Sequence, residues 1–211
     1  MLMINDLLRH NQRLMNELHE ASREVLESGW YVLGKHVKKF EEEFASFCQT
    51  NHCVSVANGT DALELALRAL DVGDGDNVIT VANAGAYSSA AIVSVGANPL
   101  YIDINDETLL LSLEDLRRQI NSDTKAIVLT HLYGQAAPAT EVVALATEYG
   151  IPVIEDCAQA HGAEINGRQV GSFGAIGCFS FYPTKNLGAL GDGGAITTND
   201  QDLAARVQMF R

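Results

Sequence analysis

Between residues 5 and 28, apolar side chains stand at Leu7, Leu14, Leu18, Val25 and Leu26 among charged neighbours. This spacing predicts one amphipathic helix ended by Gly29, and a second helix is predicted over 38–48. Beyond it the period changes. A short apolar run at 53–57 precedes Asn58-Gly59-Thr60 and then a helical stretch at 61–70, which reads as strand, tight turn and helix. The same unit recurs: strands at 77–81, 99–103, 125–130 and 151–155 alternate with helices at 87–95, 113–120 and 139–149. Strands that are apolar on both sides and alternate with helices predict an α/β fold, a mostly parallel sheet covered by helices. No low-complexity segment or fixed-period repeat divides the chain, so one domain over residues 1–211 is the simplest reading.

After Asp156 the composition shifts. Nine of the 18 glycines fall between Gly162 and Gly194, which predicts turns and close backbone approaches there. Asn166-Gly167, within 163–171, is the strongest short signal for a two-residue hairpin turn. Strands are expected at 175–181 and 195–198. Between them lies the loop Tyr182-Pro183-Thr184-Lys185-Asn186-Leu187-Gly188.

Composition narrows the function. With 47 % hydrophobic residues, 211 positions can fill a substantial core. A net charge of −13 is the wrong sign for a surface that neutralises phosphates along a nucleic acid, so general DNA or RNA binding is not expected. No apolar run reaches the roughly 18 to 20 residues of a membrane-spanning helix, and the N-terminus lacks a signal-peptide layout; the expectation is no membrane and a cytoplasmic location. Cys48, Cys53, Cys157 and Cys178 form no CxxC pair and read as reduced, while six scattered histidines without an i, i+4 pair argue against a metal site.

Lys185 is one of five lysines and the only one after Lys125, set among apolar, aromatic and glycine residues. A solvated loop lysine is the ordinary reading. A partly desolvated amine with a depressed pKa would instead be a nucleophile able to form a Schiff base with a carbonyl. Asp156 follows the apolar run Ile151-Pro152-Val153-Ile154, which puts a carboxylate at the C-terminal end of a buried parallel strand, where open α/β sheets bind their ligands. Alone it could equally be a helix cap. Together the amine and the carboxylate are what pyridoxal phosphate needs, one for its aldehyde and one to keep its pyridine nitrogen protonated. Asn58-Gly59-Thr60-Asp61 sits where a strand turns into a helix, so free backbone N–H groups and the helix dipole favour an anion such as the cofactor's phosphate. The plainer reading is a cap in which Thr60 or Asp61 satisfies the first turn. Ser180, five residues before Lys185, can add a hydroxyl.

Four stretches carry a resemblance: 29–34 (Gly-Trp-Tyr-Val-Leu-Gly), 58–63 (Asn-Gly-Thr-Asp-Ala-Leu), 155–162 (Glu-Asp-Cys-Ala-Gln-Ala-His-Gly) and 179–188 (Phe-Ser-Phe-Tyr-Pro-Thr-Lys-Asn-Leu-Gly). In this order they resemble the DegT/DnrJ/StrS family of sugar-nucleotide aminotransferases. The resemblance implies the large domain of a fold type I pyridoxal-phosphate enzyme, normally followed by a smaller C-terminal domain that these 211 residues would lack. It also implies a homodimer with active sites built across the interface. Lys185 is then similar to the Schiff-base lysine, Asp156 to the partner of the pyridine nitrogen, and Gln159 to the residue against the ring near its phenolic oxygen. Gly59, Thr60, Asp61 and Ser180 would hold the phosphate. Dehydratases of the family have histidine in place of the lysine, and Lys185 speaks against that branch. The chain departs from the family at 81–89, where an aromatic residue often stacks on the ring; here the stretch opens Val81-Ala82-Asn83-Ala84-Gly85-Ala86-Tyr87, which leaves Tyr87 as the candidate.

The expected activity is a two-stage exchange in which L-glutamate gives up its amino group and a nucleoside-diphosphate keto sugar receives it, with ping-pong kinetics. Two other readings stay open: a pyridoxal-phosphate enzyme with a different reaction, and a non-catalytic nucleotide-sugar binding module. The charge of −13 does not steer an anionic nucleotide sugar, so diphosphate contacts must be local. Lys35, Lys38 and Lys39 are candidates, although three lysines beside a helix start more often form a solvated face.

Overall fold

The computed structural model describes residues 5–211. A seven-stranded sheet with the order β1-β9-β8-β5-β4-β2-β3 forms its centre. The strands are β1 (His52–Val56), β2 (Asn77–Val81), β3 (Asn98–Ile102), β4 (Thr124–Thr130), β5 (Val153–Asp156), β8 (Ile176–Ser180) and β9 (Gly194–Thr198). Neighbouring strands run parallel from β8 through β5, β4 and β2 to β3, and only β9 runs against its neighbours β8 and β1. The mostly parallel sheet expected from the alternating pattern is therefore present. A separate two-stranded ribbon, β6 (Glu164–Ile165) and β7 (Arg168–Gln169), turns through Asn166 and Gly167 at φ 52° and 79°, the left-handed pair that an Asn-Gly hairpin requires.

Helices cover both faces. Between the sheet and α4 (Gly59–Ala69), α5 (Tyr87–Ser94) and α8 (Gln201–Phe210) lies one core that includes Leu63, Leu67, Ile92, Ile154, Ile176 and Val207. Leu63 and Leu67 are almost wholly buried, each contributing about 1.5–3 kcal/mol relative to exposure. On the other face α6 (Leu113–Gln119) and α7 (Ala139–Glu148) enclose Ile79, Leu116, Ile127, Leu129, Val142 and Val153. A third cluster joins α3 (Lys35–Phe47) to the sheet through Phe44, Phe179 and Phe181, whose rings meet edge to face at 4.9 and 5.2 Å, the arrangement aromatic quadrupoles favour.

Most predicted boundaries hold to within one or two residues, and three larger differences stand out. The predicted helix over 5–28 is two, α1 (Leu7–Asn11) and α2 (Met15–Ser28), and neither buries a residue. The break falls where no apolar side chain stands between Leu8 and Leu14, so no packing holds that turn. Gly29 ends α2 at φ 64° as expected. The next helix starts at Lys35 rather than 38 because Gly34, in extended backbone, already forms its N-cap. α8 was not predicted; Asp200 caps it by accepting the Asp202 and Leu203 amides. No helix among the described residues is long and apolar enough to cross a membrane.

Several glycines are contact points. A Cβ on Gly177 would stand 2.5 Å from the Gly171 Cα and from Thr197 Oγ1, whereas Gly191 has nothing within 4 Å. Gly177→Ala is expected to cost about 1–3 kcal/mol by overpacking, and Gly191→Ala to stay within about 0.5 kcal/mol. Urea denaturation checks both, and equal midpoints for the two variants would contradict the close approach.

Candidate active site

β5 ends in two consecutive buried carboxylates. Strand alternation sends them to opposite faces: Asp156 follows Ile154 toward the α4 side, and Glu155 follows Val153 toward the α7 side. The Ala158 amide donates to Asp156 Oδ1 at 3.1 Å, and the buried Ser88 hydroxyl donates to Oδ2 at 3.4 Å. Burial pushes the Asp156 carboxyl above its ordinary value, opposed by the Ala158 N–H, His131, Lys185 and Ser88. One oxygen of a buried carboxylate is thus left with a single long contact.

The turn from β1 into α4 brings the second group. Asn58 is the N-cap, its Oδ1 accepting the Thr60 and Asp61 amides at 2.9 Å each. This corrects the expectation of a cap made by Thr60 or Asp61, and the expectation that these amides stand free. An amide oxygen one residue before the helix reaches N2 and N3 together; the Gly59 N–H remains without an intrahelical partner. A Cβ on Gly59 would lie 2.6 Å from the Ser180 Cβ, so glycine lets the helix N-terminus approach the end of β8 and its hydroxyl.

The loop after β8 is fixed at its base, with the Phe181 amide donating to Gly193 O at 2.7 Å and the Ala189 amide to Phe181 O at 2.7 Å. Within it the Lys185 amide donates to Tyr182 O at 2.8 Å, and the Lys185 side chain is half-buried. Gly59, Thr60, Asp61, Tyr87, Asp156, Ser180 and Lys185 line one cavity of about 500 Å3. Gln159 stands apart from these. It lines an adjoining cavity of about 330 Å3 with Tyr133, Gly134 and Asn186, and Thr184 and Lys185 form the wall the two cavities share. Tyr87 is exposed at the rim, its ring 2.8 Å from where a Gly85 Cβ would be; the missing side chain at 85 makes room for it.

Sequence reasoning missed Ser88, Tyr182, Thr184 and Asp192 as members of this region. Tyr182 and Thr184 flank Lys185 and were within reach of the motif, whereas Ser88 and Asp192 carry no local signal. Lys35, Lys38 and Lys39 line neither cavity and face Glu24, Glu42 and Glu43 on the surface, so they form a solvated face. His161 lies between Phe179 and Phe181, ring centroids 5.4 and 5.3 Å away, and burial pushes it down to about 4. His131, Glu155 and Cys157 place ligand-type atoms within 4.8 Å of one another. The donors and acceptors of His131 and Glu155 are spent on internal hydrogen bonds, and burial pushes the Cys157 thiol up.

These residues fit pyridoxal phosphate: a buried carboxylate short of a partner, an amine on a pinned loop, and a helix N-terminus beside two hydroxyls share one cavity. The fold and pocket define an α/β domain whose ligand crevice lies at the C-terminal ends of its parallel strands. The chain belongs to the DegT/DnrJ/EryC1/StrS aminotransferase family, whose sequence profile matches residues 12–211. It is 49 % identical over 206 residues to the dTDP-3-amino-3,6-dideoxy-alpha-D-galactopyranose transaminase of Aneurinibacillus thermoaerophilus, covering 98 % of this chain and 57 % of that protein. Among solved structures it is similar to S. venezuelae DesV in complex with a ketimine intermediate (TM-score 0.95, 42 % identity, 98 % of this chain and 56 % of that one). It is also similar to NtdA from Bacillus subtilis with bound cofactor PMP (TM-score 0.88, 31 % identity, 93 % of this chain and 44 % of that one). The chain thus spans somewhat more than half the length of the curated relative it matches.

Because burial raises its folded pKa, Asp156 costs stability wherever it is ionised. The cost is absent below the unfolded carboxylate value, about 3.9, grows as the pH rises from there toward the raised folded value, and is constant above it. Asparagine keeps both hydrogen bonds, its oxygen accepting from Ala158 and its amide donating to Ser88. Asp156→Asn without cofactor is therefore expected to melt at or above the unaltered protein at pH 7, with the gain gone near about pH 3.5. Thermal denaturation at the two pH values checks this, and a lower melting temperature at pH 7 contradicts it.

Proposed function

We propose that this chain is the cofactor-binding part, over residues 1–211, of a pyridoxal-phosphate-dependent aminotransferase. In this reading it moves an amino group from L-glutamate to a keto-deoxysugar linked to a nucleoside diphosphate. The observation that carries the reading is the convergence of Lys185, Asp156 and the α4 N-terminus on one cavity, in a chain of an aminotransferase family. The name of the A. thermoaerophilus relative, a dTDP-amino-sugar transaminase, supports the substrate class, and the PMP bound to NtdA supports the cofactor.

When bound, pyridoxal phosphate supplies an aldehyde for amines and a ring that takes up electrons. Lys185 Nζ is the amine that would hold the aldehyde end and, as a free amine, the base that would accept and return the proton of the substrate carbon. Asp156 is the carboxylate that would keep the pyridine nitrogen protonated. The Gly59 N–H, the Thr60 and Ser180 hydroxyls and the helix dipole would hold the phosphate without any cation; the Asp61 amide would contribute only by exchanging Asn58 Oδ1 for a phosphate oxygen. Tyr87 would cover the ring from the rim of the larger cavity, and Gln159 would address the ring oxygen from the adjoining one.

The protein works in this reading as a homodimer in the cytoplasm. Four consecutive large apolar residues, Trp30, Tyr31, Val32 and Leu33, are each 49–74 % exposed, a surface that a second copy would cover. All four cysteines are free and buried, the usual state in a reducing compartment.

Lys185→Ala is expected to abolish the borohydride-trappable adduct that the unaltered protein forms with pyridoxal phosphate, read by mass spectrometry. In the unaltered protein the visible band should bleach on adding glutamate. A trapped adduct that persists in Lys185→Ala shows that another lysine is used, and a colourless protein that binds a nucleotide sugar favours a binding module. Light scattering after size exclusion should give twice the 22.7 kDa chain mass, and the paired change Trp30→Glu and Tyr31→Glu should return it to one; a monomer at the outset contradicts the dimer.

A further inference from the structure

Glu155, wholly buried on the face of β5 opposite Asp156, has every lone-pair direction of its carboxylate met by an N–H. The Phe173 and Gly174 amides donate to Oε1 at 2.7 Å each, and the Gly171 amide and His131 Nε2 donate to Oε2 at 2.8 and 2.9 Å. The Ala137 amide donates to His131 Nδ1 at 2.9 Å. That nitrogen therefore carries the lone pair and Nε2 the proton, which makes the ring a neutral donor to an ionised carboxylate. His131 also ties the two ends of a loop together, because it begins the segment 131–137 and its ring accepts from the far end.

The middle of that segment is strained. Tyr133 has φ 58° and Gly134 φ 79°, and a side chain larger than asparagine in the left-handed region persists only where its surroundings hold it there. Held in this way, the Tyr133 amide donates to Gln159 Oε1 at 3.2 Å. Once the oxygen of the Gln159 amide is engaged, its NH2 is the end left for the cavity shared with Lys185. Without that bond the amide could turn and present an acceptor instead.

We propose that His131, anchored by Glu155 and the Ala137 amide, is a positioning residue. It fixes the 131–137 loop so that the Tyr133 main-chain N–H holds the Gln159 side chain as a hydrogen-bond donor toward the Lys185 cavity. The value of this to catalysis rests on the cofactor reading above; the geometry does not.

Amide exchange by NMR tests the geometry in the protein without cofactor. The Tyr133 and Ala137 amides should both be protected in the unaltered protein. Gln159→Ala should lower protection about tenfold at Tyr133 alone, the scale of one hydrogen bond. His131→Phe should lower it at both, and His131→Gln, which keeps one acceptor and one donor, should restore it. If His131→Phe does not fold, Ala137→Pro removes the same amide donor and should likewise expose Tyr133. A Tyr133 amide that exchanges freely in the unaltered protein, or stays protected in His131→Phe or Ala137→Pro, overturns the proposal. With pyridoxal phosphate added, the pH midpoint of the visible band should move in His131→Phe in the direction it moves in Gln159→Ala; an unmoved midpoint also overturns it. A protein that gives no visible band refutes the cofactor reading and leaves the exchange result standing.

Discussion

Everything at this site depends on placing two charged or chargeable carboxylates, side by side in one strand, inside a low-dielectric sheet. A buried carboxylate must be hydrogen-bonded, neutralised or paired. The strand solves the problem differently on its two faces. Glu155 receives four N–H donors and can stay ionised as part of the framework. Asp156 receives two contacts, at 3.1 and 3.4 Å, and burial raises its proton affinity. One face is satisfied by the protein, and the other is satisfied only in part, which is what a ligand-binding group requires.

The framework around Asp156 follows from where chains can approach one another. Gly59 against Ser180, and Gly177 against Gly171 and Thr197, are positions where any side chain would push elements apart. These glycines let α4, β8 and β9 close around the ends of the strands. The lysine is then carried on a loop that Phe181 closes by two backbone hydrogen bonds, to Gly193 and from Ala189. Positive charge is scarce in the cavity, and an anion there depends on N–H groups, hydroxyls and the helix dipole.

Much of this was legible in the sequence because it is local. The alternation of strands and helices, the Asn166-Gly167 hairpin and the Gly29 stop are written in neighbouring residues, and the structure has each of them. Seven of the eight residues singled out for the cofactor line one cavity because they sit at strand ends and in the loops and first helical turns that follow. What was not legible depends on distant partners. Ser88 meets Asp156 across 68 positions and the Tyr133 amide meets Gln159 across 26, with no spacing to announce either. The antiparallel placement of β9 is likewise decided by packing. The α1/α2 break lies where nothing buries the helix, so its periodicity alone promised more than it could hold.

The Asn58 cap bears on how this pocket meets an anion. The Thr60 and Asp61 amides already have an acceptor tethered one residue away, at high effective concentration. An incoming oxyanion at those amides is a substitution for that acceptor, so the free energy gained is the difference between two caps. With or without an anion, the Thr60 and Asp61 amides of α4 therefore keep an acceptor that the chain itself supplies, and only the Gly59 N–H waits for one from outside.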